Sequence, residues 1–151
     1  MAKFVYKMQS LLNIKEKLEE QAKTAYGLAR MTLNEEEAKL AELIARKEQY
    51  VEQKRQEMSS SINVHELTQL EHAIKSMEYR IAEQILVVKQ AEKNMQLAQA
   101  KLENAMKERK IQEKLKEHAF EEFLKEMEAA DQQEINELVT FRFGKARERE
   151  E

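Results

Sequence analysis

From Phe4 onward, apolar residues recur at steps that mostly alternate between three and four: Phe4, Met8, Leu11, Leu18, Ala22, Ala25, Ala29, Leu33, Leu40, Leu43 and Tyr50. This is the heptad pattern of a helix that buries one narrow stripe against another helix, and it predicts a first helix over about residues 3–58. The two successive steps of four through Ala25, Ala29 and Leu33 read as a stutter, a local unwinding of the supercoil. Lys15, Glu36, Lys47 and Lys54 fall on seam positions, so the seam is interrupted by charge. The outer face carries Glu19 with Lys23, Glu35 with Lys39 and Glu42 with Arg46. Each such pair adds roughly 0.2–0.5 kcal/mol to a helix.

The pattern stops at Met58. Ser59-Ser60-Ser61-Ile62-Asn63 is a small, polar cluster of the kind that makes a turn. Asn63 stands three residues before Glu66, the spacing of a capping box, in which each side chain satisfies the other's free backbone N–H. A second helix follows over about residues 64–141, with a short tail at 142–151. Its seam has one series at Leu67, Ile74, Ile81, Val88, Met95 and Leu102, and another at Leu70, Met77, Gln84, Ala91, Ala98 and Ala105. It weakens through Arg109, Gln112 and Lys116 and resumes at Ala119 and Phe123.

The expected fold is therefore all-α: two long helices in an antiparallel two-stranded coiled-coil hairpin, a single unit over residues 1–151. Folding about Ser61 sets Ala22, Ala25 and Ala29 against the stretch from about Ala91 to Ala98, small residues against small. Leu40 and Leu43 then meet the Met77–Ile81 region. The same arithmetic places Phe4 opposite His118, so the second helix outruns the first by about 20 residues, roughly 30 Å. The overhang carries Phe120, Phe123, Leu124, Met127, Ile135, Leu138, Val139, Phe141, Arg142 and Phe143. An apolar stripe with no internal partner marks an interaction surface, unless a second copy or the chain's own N-terminus covers it.

Composition supports an open helical structure. Of 151 residues, 36% are charged, only two are Gly and none is Pro, Cys or Trp, so too few turn-formers exist to fold the chain into a compact ball. The net charge of -3, with both signs interleaved, argues against nucleic acid as the main partner. The start Met1-Ala2-Lys3-Phe4 lacks a signal-peptide core, and no run is long and apolar enough to cross a bilayer, which makes cytoplasm the expectation.

Chemistry is not expected. A two-stranded coiled coil offers no pocket that desolvates and positions reacting groups. His118 with Glu122, and His65 with His72, share helix faces but lack a full ligand set, and they read as solvated side chains. The expectation is no catalytic residue, no metal, no cofactor and no small-molecule substrate.

Both ends carry recognisable sequence. The run Phe4-Val5-Tyr6-Lys7-Met8-Gln9-Ser10-Leu11-Leu12-Asn13-Ile14-Lys15-Glu16 and the run Asp131-Gln132-Gln133-Glu134-Ile135-Asn136-Glu137-Leu138-Val139-Thr140-Phe141-Arg142-Phe143 resemble the opening and the close of the bacterial flagellar export protein family FliJ. The resemblance implies a non-enzymatic stalk of the flagellar type III export apparatus, similar to the coiled coil of a rotary-ATPase γ subunit. It implies three partners: a hexameric FliI-like export ATPase, a FlhA-like export gate protein and export chaperones. It also implies a monomer, cytoplasmic and peripheral to the inner face of the cell membrane at the flagellar base. On this reading Phe120, Phe123, Leu124, Met127, Ile135, Leu138, Phe141, Arg142 and Phe143 meet the ATPase, and Ala73, Met77 and Arg80 meet the gate. The alternatives are a generic cytoplasmic coiled-coil adaptor and the equivalent stalk of a virulence type III secretion system.

Overall fold

A computed structural model describes residues 2–150 of the chain, the side chain of residue 150 excepted. It is a helical hairpin of two packed helices, α1 (Gln9–Ser59) and the longer α2 (Val64–Glu150). Two compact units make it up: Glu19–Ala105, and Met1–Leu18 with Met106–Glu151.

Burial along α1 corrects the sequence reading in one respect. Gln9 and Leu11 are half-buried at its start, and from Leu12 on the half-buried or buried positions are Leu12, Lys15, Glu19, Ala22, Tyr26, Ala29, Leu33, Glu36, Leu40, Leu43, Lys47, Tyr50, Lys54 and Glu57, an unbroken alternation of three and four. There is no stutter. It arose from taking Leu18 and Ala25 as seam residues, whereas both are exposed and Glu19 and Tyr26 hold the stripe. The apolar character of Leu18 was the misleading signal: it is 43% exposed beside a Glu19 that is 6% exposed.

In the Glu19–Ala105 unit the apolar centre is Leu33 with Val88 and Ala91, flanked by Leu40 and Met95. Next to it lies a polar layer. The Gln84 amide donates to the Glu36 backbone carbonyl at 2.9 Å and to its carboxylate at 2.6 Å. A polar pair inside a seam is satisfied in one register only, because a shift of one turn would leave both groups facing apolar neighbours. Two seam lysines act similarly: Lys47 reaches Glu78 at 3.5 Å and Lys54 reaches Glu71 at 3.4 Å, each on the opposite helix. Small residues do meet near the level expected, and Ala22, Ala25 and Ala98 line an open hollow of about 290 Å3 rimmed by Leu97 and Lys101. On the outer face Lys23 pairs with Glu19 at 3.4 Å as expected, but Lys39 pairs with Glu36 at 3.3 Å and not with Glu35.

The turn is built from side chain to backbone. The Ser59 and Ser60 hydroxyls donate to the Gln56 carbonyl at 2.9 and 3.2 Å, satisfying the end of α1. Asn63 caps α2 by accepting from the His65 N–H at 3.1 Å. The reciprocal half of the capping box is not made, because Glu66 turns toward Glu57 across the turn. One Glu57 carboxylate oxygen is buried without a hydrogen-bond partner. Its loss of water, followed by the nearby Glu66, raises the Glu57 pKa above the ordinary carboxyl range.

In the other unit α1 begins at Gln9, later than expected, and residues 2–8 are not helical. Lys15 bridges to Glu108 at 2.8 Å, holding the start of α1 to α2. α2 continues through Gly144 to Glu150, beyond the end expected near residue 141. Lys145 lies 4.7 Å over the Phe141 ring, one turn back, and Arg147 and Arg149 stand in the last turn, where cations complement the helix dipole.

The two perturbed acids predict opposite pH dependences. Glu36 is held below its ordinary range, chiefly by the Gln84 hydrogen bond. Its contribution is present above the usual carboxyl pKa and is lost as pH falls through the lowered value. Gln84→Ala is expected to lower the melting temperature by about 2–5 °C at pH 7, with the deficit shrinking in acid. Glu57 has the reverse sign: its stabilisation is complete below the usual carboxyl pKa and is lost as pH rises through the raised one. Glu57→Gln is expected to raise the melting temperature at pH 7 by about 1–3 °C, with no gain at about pH 4. Thermal melts of both variants at the two pH values check the signs.

Candidate partner-binding surface

A helix presents residues three and four apart on one face. Along α2 this gives the series Phe120, Phe123, Leu124, Met127, then, after Asp131 and Glu134, Ile135, Leu138, Phe141 and Arg142. Val139 and Phe143 sit to one side of the series. The expected overhang divides into two parts with different surroundings.

The first part is covered. Phe4, in the non-helical segment before α1, packs edge-on against Phe120 with ring centroids 5.2 Å apart and against Phe123 at 5.4 Å. Phe123 and Met127 are half-buried, while Phe120 and Leu124 remain 43% and 45% exposed. The chain's own N-terminus thus supplies part of the partner that the sequence reading left open. The strap has a period-two pattern in Lys3-Phe4-Val5-Tyr6-Lys7, with Phe4 and Tyr6 half-buried and Val5 exposed. That alternation is the signature of an extended segment, and reading Phe4 and Met8 as the first heptad steps concealed it.

The second part is bare. Every described side chain from Glu128 onward is exposed. Ile135 is 53% exposed, Leu138 61%, Phe141 61% and Phe143 69%. Arg142 stands between two shallow apolar hollows, one lined by Leu138 and Phe141 and the other by Val139 and Phe143. Apolar side chains flanking a guanidinium suit a protein surface that offers both carboxylate and aliphatic groups. The residues assigned to the gate differ in access. Met77 is buried in the seam at 6% exposure and so lies beneath any contact surface. Ala73 is half-buried and Arg80 is exposed.

Nothing in this surface resembles a reaction centre. Among the described residues no group of three or more His, Cys, Asp or Glu is placed to hold a metal ion. His118 Nδ1 stands 3.8 Å from Glu121, both well exposed, and His65 meets Gln69 at 3.3 Å. Among the described residues no helix is long and apolar enough to cross a membrane.

The family model described as "Flagellar FliJ protein" matches residues 4–148. Among solved structures the chain is similar to CT670 of Chlamydia trachomatis, a protein titled as a YscO homologue. The two share 23% identity with a TM-score of 0.50, over 89% of this chain and 90% of that one, a likeness of fold. No curated protein matches the chain.

The division of the stripe predicts unequal sensitivity to substitution. Leu138→Lys is expected to leave the hairpin's unfolding free energy within about 0.5 kcal/mol, because no neighbour is lost. Phe123→Ala, which removes a ring packed on Phe4, is expected to cost about 1–3 kcal/mol. Urea denaturation followed by circular dichroism reads both.

Proposed function

Because the chain belongs to the flagellar FliJ family, a non-catalytic component of the type III export apparatus, we propose that it is the stalk of the export ATPase ring and docks there through the exposed stripe of α2. The observation that carries this reading is the bare apolar series Ile135, Leu138 and Phe141 beside Arg142, on a helix that continues to Glu150 and along which, among the described residues, every side chain from Glu128 onward is exposed. A lone helix in water gains little from its own hydrogen bonds. A surrounding protein surface bury the stripe and supply carboxylates to Arg142. In this role Phe120, Phe123, Leu124, Met127 and Phe143 extend the contact. The chain works in the cytoplasm at the base of the flagellum and needs no cofactor.

The mechanism requires no chemistry from the stalk. One asymmetric helix inside a six-fold ring touches the six subunits unequally. It favours whichever ring state gives it the better contacts, and that difference in contact free energy is what shifts the ring between states. At the turn end, Ala73 and Arg80 offer a contact for the export gate over the buried Met77, and the exposed faces of the hairpin are available to export chaperones. The flagellar reading is preferred to the virulence-type stalk because the matching family is the flagellar one.

The test is ATP hydrolysis by the purified export ATPase of the same organism, with the full-length chain and with Ile135, Leu138 and Phe141 all changed to Glu. The wild-type chain is expected to promote ring assembly and stimulate hydrolysis, and the triple variant to lose at least about tenfold in apparent affinity, which is roughly 1.4 kcal/mol. Equal stimulation by both chains would remove the stripe from the contact. No stimulation by either, with the ATPase active alone, would return the protein to the class of coiled-coil adaptors.

A further inference from the structure

We infer that the N-terminal strap, residues 3–7, is a releasable cover over the aromatic beginning of the docking stripe, and that it holds down the affinity of the free chain for its partner. The inference rests on the reading of the stripe as the ATPase contact and adds a regulatory element to it.

Three features of the strap point to release. Its hold on α2 is aromatic: the Phe4 ring against Phe120 and Phe123. Backbone hydrogen bonding is slight, since among the described residues the first such bond runs from the Gln9 N–H to the Tyr6 carbonyl at 3.2 Å, and residues 2–5 make none. The Tyr6 hydroxyl is buried without a hydrogen-bond partner. A buried hydroxyl that loses water and gains nothing opposes the contact that buries it, so the closed strap carries its own opposing force.

Charge adds a weak attraction. Lys3 and Lys7 share a surface hollow with Glu122 and Glu126, yet among the described residues no ion pair ties the strap down. Attraction of this exposed kind is small and screened by salt. The strap is thus held mainly by aromatic packing, and residues 2–8 lie outside both helices, so its release leaves the spans of α1 and α2 in place.

Release has a defined consequence for the surface. With Phe4 withdrawn, Phe120 and Phe123 join Leu124 and Met127, and this apolar cluster then lies on the same face of α2 as Ile135, Leu138 and Phe141, separated from them by Asp131 and Glu134. A partner that seeks the whole series meets the strap as a competitor for the same rings. Its apparent affinity is the intrinsic affinity multiplied by the fraction of molecules in which the strap is open. Loosening the strap should therefore tighten binding, the reverse of what losing a contact residue does.

The experiment measures equilibrium binding of the full-length chain to the purified hexameric export ATPase by fluorescence anisotropy, for wild type, Phe4→Ala, Tyr6→Phe and the Ile135, Leu138 and Phe141 triple Glu variant. Circular dichroism confirms that all four keep their helices. Phe4→Ala is expected to bind about threefold to tenfold tighter. Tyr6→Phe, which keeps the ring and removes the orphaned hydroxyl, is expected to bind severalfold weaker. Unchanged or weaker binding by Phe4→Ala, while the triple variant loses binding, overturns the cover and leaves the stripe standing, as does tighter binding by Tyr6→Phe. Wild-type binding by the triple variant overturns the stripe reading itself, and the cover with it.

Discussion

The inequality of the two helices is the constraint from which the exposed apolar stripe follows. A two-stranded seam buries apolar side chains only where both strands are present, and α1 has 51 residues against 87 in α2. A helix without a neighbour has its backbone satisfied internally but has nowhere to place its apolar face. The chain answers this in two ways. Near the start of α1 an extended strap lays Phe4 over Phe120 and Phe123. Farther along, the apolar face is left exposed, and it is this bare face that the proposed docking to the export ATPase would cover.

Polar residues in the seam carry a different role from apolar ones. Leu33, Val88 and Ala91 supply water exclusion but tolerate more than one alignment, since apolar contacts lack direction. Gln84 with Glu36, Lys47 with Glu78 and Lys54 with Glu71 are directional and tie named positions of one helix to named positions of the other. Exposed ion pairs contribute little stability, so their value lies in discriminating the correct register from its neighbours. Glu57 opposite Glu66 is the exception, two carboxyl groups turned toward each other beside the turn. That arrangement works against a tight closure at neutral pH.

The hairpin was legible because its signals are long and periodic. Many heptad steps agree, and the serine cluster with Asn63 breaks them once. Details that depend on a single side chain were less legible. Glu19 and Tyr26 hold seam positions that a hydrophobicity count gives to Leu18 and Ala25, because the heptad frame set over the whole helix outweighs the preference of one residue. The strap was missed for a related reason: Phe4 and Met8 fit a helical step, while the alternation of Phe4, Val5 and Tyr6 spans too few residues to compete with it. The helical state of residues 142–150 was hidden by Gly144, a weak breaker with no proline to support it. The exposed stripe itself was legible from spacing alone, while its split into covered and bare parts required knowing where the strap lies.

The claim that the bare part of α2 is a docking surface is tested most directly by amide hydrogen exchange over residues 128–150, in the free chain and in complex with the purified export ATPase. An unpartnered helix opens by local fraying, so these amides should exchange fast in the free chain. In the complex the account predicts that they slow by at least about tenfold, while amides of the Leu33–Val88 seam are unchanged. Fast exchange of residues 128–150 in a complex shown to have formed would contradict it and move the contact elsewhere on the hairpin.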